Sequence, residues 1–323
     1  MIGLRIEMAS YGPPEVLRAV EQPVAAPKPH EVIVRAAFAG VNRADCFIRS
    51  GEWPQAGPWP YVPGLETCGV VDAVGEAVTG FAPGDPVITM MQRLGGVHGA
   101  RPGGYQSLVA VEASVLARVP ATLTIAAAAA FGLPAVTAHL ALEAAEVEPG
   151  QRVLVLGAAS AVGLMAVQLV RARGAVAIGT GRRQQTFDAI RAAGADAVVS
   201  TREAWAKQLE PVDRVLDLVG QATFADAIDR LRPGGRYVFV GGTSGGELPL
   251  SGWSLMRPIT LTGYSSETLV ADQLASAMGE LGRLVSANAI TVPTAARYPL
   301  RDAARAHAEL EAGQLTGRVL LEA

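Results

Sequence analysis

One segment, residues 151–184, constrains the fold more than any other part of this 323-residue chain. The apolar run 153–156 predicts a buried strand, and the small residues of 157–163 predict a tight turn. An amphipathic helix over 164–173 and a second strand over 176–180 complete the pattern. This order is typical of a βαβ unit in which the N-terminus of the helix holds a pyrophosphate group.

The small-residue turn departs from the usual glycine pattern at one position. Gly157, Ser160 and Gly163 have the motif spacing, so that serine replaces the middle glycine. A crossover that binds nothing is the alternative for the turn taken alone. The expected pyrophosphate contacts are Ala159, Ser160, Ala161, Val162 and Gly163.

The second strand ends at Gly181, Arg182 and Arg183, with no acidic residue there. An NAD-binding protein places a carboxylate at this point to hydrogen-bond the ribose diol. Two guanidinium groups suit a 2′-phosphate instead, and they predict NADPH as the cofactor. The alternative is that both arginines are solvated loop charges.

Composition excludes several classes of protein. A chain of 323 residues exceeds the size of one ordinary core, which predicts two domains. The net charge of −3 gives no basic surface for nucleic acid or an anionic membrane. Two cysteines, Cys46 and Cys68, favour a reducing compartment over a disulfide framework, and the N-terminus lacks the apolar core of a signal peptide. A cytoplasmic protein is expected.

Residues 123–142 form an uncharged stretch long enough to span a bilayer. The stretch is mostly alanine, and Gly132 and Pro134 interrupt it. Two buried helical pieces joined at this break are predicted.

Three regions follow one another along the chain. Short apolar runs at 31–37, 68–74 and 86–90 predict a barrel-like β domain. From about residue 126 to 263, strands and helices alternate, which predicts a doubly wound parallel sheet. The further strands expected are 197–199, 214–218, 236–240 and 260–263, with helices at 186–193 and 222–231. Mixed structure follows, with helices at 269–284 and 303–312 and a strand at 318–321.

Motifs along the whole chain resemble the zinc-free quinone oxidoreductase branch of the medium-chain dehydrogenase/reductase superfamily. They include GVNRADCFIRSGEWP (40–54), VPGLETCGVVDAVGEAVTGFAPGD (62–85), FGLPAVTAHLAL (131–142) and YPLRDAARAHAELEAGQLTGRVLL (298–321). The resemblance implies an α/β protein with the active site in the cleft between two domains. One is a GroES-like, mostly β catalytic domain, residues 1–124 plus 264–323, and the other is a Rossmann domain, residues 125–263.

The resemblance also shows which metal ligands are missing. Zinc alcohol dehydrogenases of this superfamily carry cysteine and histidine where this chain has Asn42 and Leu65. Thiolate and imidazole hold catalytic zinc, so no metal is expected. Hydride transfer from NADPH to a quinone or activated enone is implied instead.

By family position, Asn42 and Asp45 are the expected catalytic residues, and Phe47, Trp53 and Tyr264 line the substrate pocket. Asn42 would polarise the acceptor oxygen or, alternatively, hold its own loop. Instead of a catalytic role, Asp45 could have a structural role in its loop. Instead of lining the pocket, Phe47 could belong to the core. Trp53 replaces a tyrosine that relatives use as a proton donor, which disfavours reduction of an enoyl thioester.

The remaining cofactor contacts implied are Thr137, Thr201, Val219, Gly241, Gly242 and Arg318. Thr137 would contact the nicotinamide carboxamide or, alternatively, bond back to its own helical turn. Thr186 and Thr201 stand where relatives often hold the 2′-phosphate with lysine and tyrosine.

Two alternative functions stay open, an enoyl or enal reductase of a specific biosynthetic intermediate and a non-catalytic NADPH-binding structural protein. Relatives pair through the last Rossmann strand, here 259–263, so a homodimer is expected. No nucleic-acid or membrane partner is expected.

Overall fold

The computed structural model describes residues 2–53, 58–91, 101–202, 204–293 and 295–323. The chain folds into two compact units. Unit 1 comprises Met1–Leu133, Ser266–Arg283 and Val292–Ala323, and unit 2 comprises Pro134–Ser265 and Leu284–Thr291. The chain passes from one unit to the other after Leu133, Ser265, Arg283 and Thr291, whereas the predicted domain limits are 124 and 263.

The elements follow one another in a mixed order. The strands are β1 (Ile2–Glu7), β2 (Arg18–Pro23), β3 (Glu31–Gly40), β4 (Glu66–Val74), β5 (Pro86–Met90), β6 (Leu108–Glu112), β7 (Ala117–Arg118), β8 (Arg152–Leu156), β9 (Val176–Gly181), β10 (Ala197–Ser200), β11 (Val212–Asp217), β12 (Leu231–Phe239), β13 (Thr260–Gly263), β14 (Ala295–Pro299) and β15 (Arg318–Glu322). The α-helices are α1 (Arg43–Ser50), α2 (Ile125–Ala144), α3 (Ala161–Ala172), α4 (Phe187–Ala192), α5 (Gln221–Arg230), α6 (Ala271–Ser286) and α7 (Ala303–Glu311).

Unit 1 is built around a mostly antiparallel sheet in the order β14-β15-β3-β4-β5-β7, with β6 also paired to β3. Valines of its strands pack into one core, among them Val32, Val71 and Val109. Near the end of the chain, β15 pairs antiparallel with β3, so that Leu321 lies opposite Ala39. This pairing brings a strand from near the end of the chain into the mostly β sheet of unit 1.

Unit 2 holds a parallel sheet in the order β10-β9-β8-β11-β12-β13. The order reverses direction between β8 and β11, which is the arrangement of a doubly wound dinucleotide-binding sheet. Apolar side chains of its inner strands, such as Leu154 and Val215, are fully buried against α5 residues such as Phe224. The predicted α/β architecture is confirmed, and the loops at the carboxyl ends of β8 and β11 lie side by side at the reversal point.

Several boundaries differ from their sequence-based limits, and two of the differences have a clear local cause. Helix α3 begins at Ala161 rather than at 164, because Ser160 caps it. Strand β12 begins at Leu231 rather than at 236, because Leu231 pairs with Val212 across an irregularity in the ladder. Both changes lengthen elements that were predicted.

Helix α2 contains the predicted break. Gly132 has φ 46° and ψ −155°, outside the helical region, and Pro134 follows it. Among the helices of the described residues, α2 is the one that is long and apolar enough to cross a membrane by length and composition. Most of its apolar stretch is buried inside the protein, as in the core helix of a folded domain.

Candidate functional site

The turn between β8 and α3, residues 157–163, is called the phosphate loop below. Gly157 has a positive φ of 75°, which lets the chain reverse directly after the strand. The Ser160 hydroxyl accepts a hydrogen bond from the Gly163 N–H at 3.0 Å and donates to the Gly157 carbonyl at 2.9 Å. The serine that replaces the middle glycine is therefore the N-cap of α3.

Gly163 allows α3 to lie close against β8. A Cβ atom at this position would lie 2.5 Å from the Gly157 carbonyl oxygen and 2.6 Å from the Ala158 Cα. This is the role of the last glycine in a dinucleotide-binding turn. The structure gathers Ala159, Ser160, Ala161, Val162 and Gly163 at the N-terminus of one helix, where backbone N–H groups favour an anion. Their contact with a cofactor stays a prediction.

A second group of predicted residues lies where β9 and β10 end. The Thr201 N–H donates to the Gly181 carbonyl at 3.1 Å and thereby joins the two strand ends. Arg202 donates from Nε to the Arg182 carbonyl at 2.7 Å. Arg182 and Arg202 are exposed, and Arg183 is half-buried. Arg202 was missed by the sequence reasoning, although parallel strand ends meet at one edge and Arg202 directly follows Thr201.

The loop after β11 is organised by Asp217, which the sequence reasoning also missed. One carboxylate oxygen accepts hydrogen bonds from the Val219 N–H at 2.7 Å and the Gly220 N–H at 3.0 Å. The Tyr237 hydroxyl donates to the other oxygen. Asp217 is fully buried, and this burial raises the pKa of its carboxyl group above the ordinary value. The aspartate shapes the turn that carries Val219.

The loops after β11 and β12 are linked to each other. Ser244 donates from both its N–H and its hydroxyl to the Val219 carbonyl, each at 2.8 Å. The Gly241 N–H donates to the Asp217 carbonyl at 3.2 Å, and Gly242 accepts from the Gly245 N–H at 3.0 Å. Val219, Gly241 and Gly242 are thus brought together at the carboxyl edge of the sheet.

Two further predicted residues of unit 2 are not part of these loops. Thr137 is buried within α2, after the break at Gly132. Tyr264 directly follows β13 and donates its N–H to the Phe239 carbonyl at 2.9 Å. The Tyr264 side chain is half-buried.

In unit 1, Asn42 and Asp45 form the start of α1. The Asn42 N–H donates to Asp45 Oδ2 at 2.8 Å, and the Leu65 N–H donates to Oδ1 at 3.1 Å. Asp45 is 1% exposed. Burial, with a further contribution from the charge of Glu66, raises the pKa of Asp45 to about 7, although the N–H donors oppose this rise.

Phe47 and Trp53 are held together through the backbone. Helix α1 is capped by Gly51, which has the left-handed conformation, and the Trp53 N–H then donates to the Phe47 carbonyl at 3.0 Å. Both side chains are half-buried. This hydrogen bond fixes the two residues relative to each other, as the wall of a pocket requires. Their role in lining a pocket stays a prediction.

Arg318 lies inside unit 1 with its side chain 1% exposed. Its Nη2 contacts Glu66 Oε1 at 2.7 Å, and its Nε and Nη2 donate to the Ala129 carbonyl at 3.2 and 3.1 Å. Asn42 donates from Nδ2 to Glu66 Oε1 at 2.8 Å and accepts from Arg318 Nη1 at 3.4 Å. Both the nitrogen and the oxygen of the Asn42 amide are therefore hydrogen-bonded within unit 1, and Arg318 forms an ion pair there. Asn42 was expected to face the substrate, and Arg318 was expected to face the cofactor.

Within the described residues, no three His, Cys, Asp or Glu side chains lie together as a metal site requires. Cys46 and Cys68 are free, buried thiols. Burial raises the pKa of Cys46 to about 12 and raises that of Cys68 further above the ordinary thiol value. Neither thiol has the surroundings of a reactive or metal-binding cysteine.

Comparison with known proteins agrees with this arrangement. The family model described as alcohol dehydrogenase GroES-like domain matches residues 28–121, and the model described as zinc-binding dehydrogenase matches residues 193–321. Fold and site together define a medium-chain dehydrogenase/reductase, with a GroES-like domain and a Rossmann domain.

Several quinone oxidoreductases match the chain along nearly its whole length. Quinone oxidoreductase 1 of Escherichia coli is 33% identical, and the quinone oxidoreductase of Salmonella typhimurium is 34% identical, each match covering 98% of both chains. The crystal structure of Escherichia coli quinone oxidoreductase complexed with NADPH has a TM-score of 0.88 at 32% identity, covering 99% of this chain and 100% of that one. A mycobacterial protein complexed with NADPH has a TM-score of 0.87 at 33% identity, with the same coverage. The chain belongs to the quinone oxidoreductase family, as its motifs predicted.

Proposed function

We propose that the protein is an NADPH-dependent oxidoreductase that reduces a quinone by hydride transfer. The observation that carries the proposal is the phosphate loop, in which Gly163 lets α3 lie close against Gly157 and Ala158 and Ser160 caps α3. This arrangement fits a dinucleotide pyrophosphate. Similarity to quinone oxidoreductases along the whole chain supports the choice of acceptor.

When bound, NADPH would supply the hydride, and the residues of this chain would hold it and the acceptor. In the proposal the phosphate loop donates backbone N–H groups to the pyrophosphate, and Val219, Gly241 and Gly242 lie along the dinucleotide. Thr137 contacts the nicotinamide carboxamide. Phe47, Trp53 and Tyr264 are the proposed contacts of the acceptor. Asn42 and Asp45 remain the proposed catalytic residues of unit 1, and a hydrogen bond from the Asn42 amide to the developing oxyanion would have to replace its hydrogen bond to Glu66.

The preference for NADPH is proposed to come from Arg182 and Arg183 at the end of β9. Guanidinium groups bind a 2′-phosphate through charge-assisted hydrogen bonds. The double variant Arg182→Ala/Arg183→Ala should therefore lose about tenfold or more in NADPH affinity and keep its affinity for NADH, as measured by fluorescence titration. Arg232→Ala is the matched control, because Arg232 pairs with Asp213 and lies at the start of β12. Equal affinities of the wild type for NADPH and NADH would contradict the assignment.

The acceptor class is tested by NADPH oxidation with three compounds, a benzoquinone, an alkenal and a crotonyl thioester. Turnover of the benzoquinone is expected, since a quinone takes up hydride without a metal and its reduced form is protonated by solvent. Preference for the alkenal would favour an enal reductase instead. Binding of NADPH without turnover of any acceptor would favour a non-catalytic role.

We also propose that the protein is a homodimer that pairs through β13. This strand is at one edge of the parallel sheet. The short helical turn that precedes it, Gly252–Met256, exposes Trp253 by 82% and Met256 by 77%. An unpaired strand edge beside exposed apolar side chains is typical of a surface covered by a second copy. Sedimentation equilibrium should show a dimer, and Trp253→Glu/Met256→Glu should dissociate it. A wild-type monomer at micromolar concentration would refute the proposal.

A cytoplasmic location is proposed on the chemistry of the cysteines. Cys46 and Cys68 are free thiols, as expected in a reducing compartment. Recovery of the protein in the cytosolic fraction of its source cells is expected, and recovery with the membrane fraction would contradict it.

A further inference from the structure

The break in α2 interrupts the backbone hydrogen bond between Leu133 and Ala129. In a continuous helix the N–H of Leu133 would donate to the carbonyl of Ala129, four residues earlier. Here the Leu133 N–H donates to Glu66 Oε2 at 2.8 Å, and the Ala129 carbonyl accepts from Arg318 at 3.1 and 3.2 Å. Glu66 and Arg318, themselves in contact at 2.7 Å, thus take the places of the two helical partners.

This arrangement, called the double cap below, has the charges in the favourable order. The guanidinium lies at the C-terminus of the first helical piece, where free carbonyls carry partial negative charge. The carboxylate lies at the N-terminus of the second piece, where free N–H groups carry partial positive charge. An ion pair that replaces a helical hydrogen bond in this way satisfies both the Leu133 N–H and the Ala129 carbonyl.

The surroundings of the break allow no continuous helix. Gly132 has φ 46°, a left-handed value, and a Cβ there would lie 2.3 Å from Glu66 Oε2 and 2.5 Å from Arg318 Nη2. Pro134 lacks an N–H, and its ring would clash with the carbonyl of residue 130 in a continuous helix. Glycine, proline and ion pair therefore all favour the same broken geometry.

We infer that Glu66 and Arg318 are positioning residues that set the start of the second piece of α2 and, through it, the place of Thr137. Thr137 lies one turn after Leu133, on the same helical piece. The inference rests on the proposed function, in which Thr137 contacts the nicotinamide end of NADPH. Glu66 and Arg318 touch neither cofactor nor acceptor in this role.

The test removes the double cap while keeping the volume of its side chains. Glu66→Leu/Arg318→Met replaces the buried ion pair by apolar groups, an exchange that proteins often tolerate. Two probes are compared by titration, NADPH and 2′-phospho-ADP-ribose, which lacks the nicotinamide. The variant should bind NADPH about tenfold more weakly and 2′-phospho-ADP-ribose as well as the wild type does. Hydrogen exchange of the Leu133 amide, read by mass spectrometry of the ligand-free proteins, should be at least tenfold faster.

The matched control is Arg49→Met/Glu311→Leu, which removes another ion pair of unit 1 that includes a buried arginine. It should change neither the ratio of the two affinities nor exchange at Leu133. Glu66→Gln, which keeps the shape of the side chain, is the second variant should the double variant not fold, and the same direction of change is expected.

The possible results separate the two proposals. Equal weakening of both probes, or unchanged exchange at Leu133, would overturn the inference. A wild type that binds neither probe would contradict the proposed function. Hydrogen exchange at Leu133 in the double variant would then still test whether the double cap stabilises the break in α2, and unchanged exchange would overturn that role.

Discussion

In unit 1 the side chains of Asp45, Glu66 and Arg318 are buried. Glu66 and Arg318 form an ion pair, and each of the three side chains also bonds to a backbone group. At the strand ends of unit 2, in contrast, Arg182 and Arg202 are exposed, and Ser160 caps a helix at the surface. Side chains whose polar atoms are hydrogen-bonded within the protein can position other groups. Residues that bind a ligand have to present their polar atoms outward. The difference teaches that a polar cluster at an expected catalytic position is not by itself a set of substrate contacts.

The burial of charge in unit 1 is tested most strongly by Asp45→Asn. The pKa of Asp45 is raised to about 7, so the folded protein retains a proton that the unfolded chain releases above pH 4. The free energy of unfolding of the wild type should therefore fall, by at most about 4 kcal/mol, as the pH rises from 4 to 7. The asparagine variant does not titrate and should lack this contribution, as measured by urea unfolding across the range.

The control for Asp45 has the opposite sign. Arg118 lowers the pKa of Asp85, so its contribution to stability is present above the unfolded pKa and is lost as the pH falls. Asp85→Asn should therefore alter only the acidic end of the profile. An identical pH dependence in wild type and Asp45→Asn would show that Asp45 is not the buried, titrating group described above.

The dependence of unit 2 on backbone proximity is tested by Gly163→Ala. The added Cβ would force α3 away from Gly157 and Ala158, which should lower the free energy of unfolding by about 1–3 kcal/mol and weaken NADPH binding. Gly279→Ala is the control, because Gly279 lies in α6 with open space around its Cβ position. That change should be neutral or stabilise by up to about 1 kcal/mol. Equal stability of both variants in urea would contradict the close packing of the phosphate loop.

Unit 2 also has a buried carboxylate, Asp217, and Tyr237→Phe tests whether it resembles the buried charges of unit 1. The change removes the donor to one oxygen of Asp217 and should lower the free energy of unfolding by about 2 kcal/mol. Tyr298→Phe removes a similar hydrogen bond, of 2.5 Å to the more accessible Glu309, and should have a smaller effect. Effects of equal size in urea unfolding would mean that burial does not distinguish the two carboxylates.

The smallest expected effect is that of Arg202→Ala. Arg202 is exposed and donates to the Arg182 carbonyl. Its positive charge should therefore attract the 2′-phosphate only weakly, because solvent screens it. NADPH affinity should fall about threefold, and NADH affinity should stay the same. A loss that equals that of the Arg182→Ala/Arg183→Ala variant would make Arg202 a principal contact instead.

Local patterns were sufficient to predict the architecture. The limits of β5, Pro86–Met90, and of β13, Thr260–Gly263, agree with the apolar runs in the sequence. The break in α2 was predictable from Gly132 and Pro134, because both residues disfavour a continuous helix. Such features depend on residues that are close together in the chain.

The contacts within the site depend on residues that are far apart in the chain. Nothing near Glu66 indicates that Arg318 would pair with it, and nothing near Asp217 indicates Tyr237 as its donor. Arg318 was predicted as a cofactor contact from family position, whereas its donors bond to Ala129, Glu66 and Asn42. Arg202 could have been predicted, because β9 and β10 were expected to be parallel strands whose carboxyl ends lie side by side.

The pairing of β15 with β3 has a consequence for the order of folding during synthesis. The strands of the parallel sheet, β8 to β13, are complete once residue 263 has left the ribosome. The sheet of unit 1 still lacks β15, and Glu66 still lacks the guanidinium of Arg318. A growing chain therefore carries an unpaired carboxylate and an open edge of β3 for about 55 residues of translation, which lasts about 3–11 s at the usual rates. The parallel sheet of unit 2 is in this sense complete before the sheet of unit 1, although it is encoded after most of unit 1.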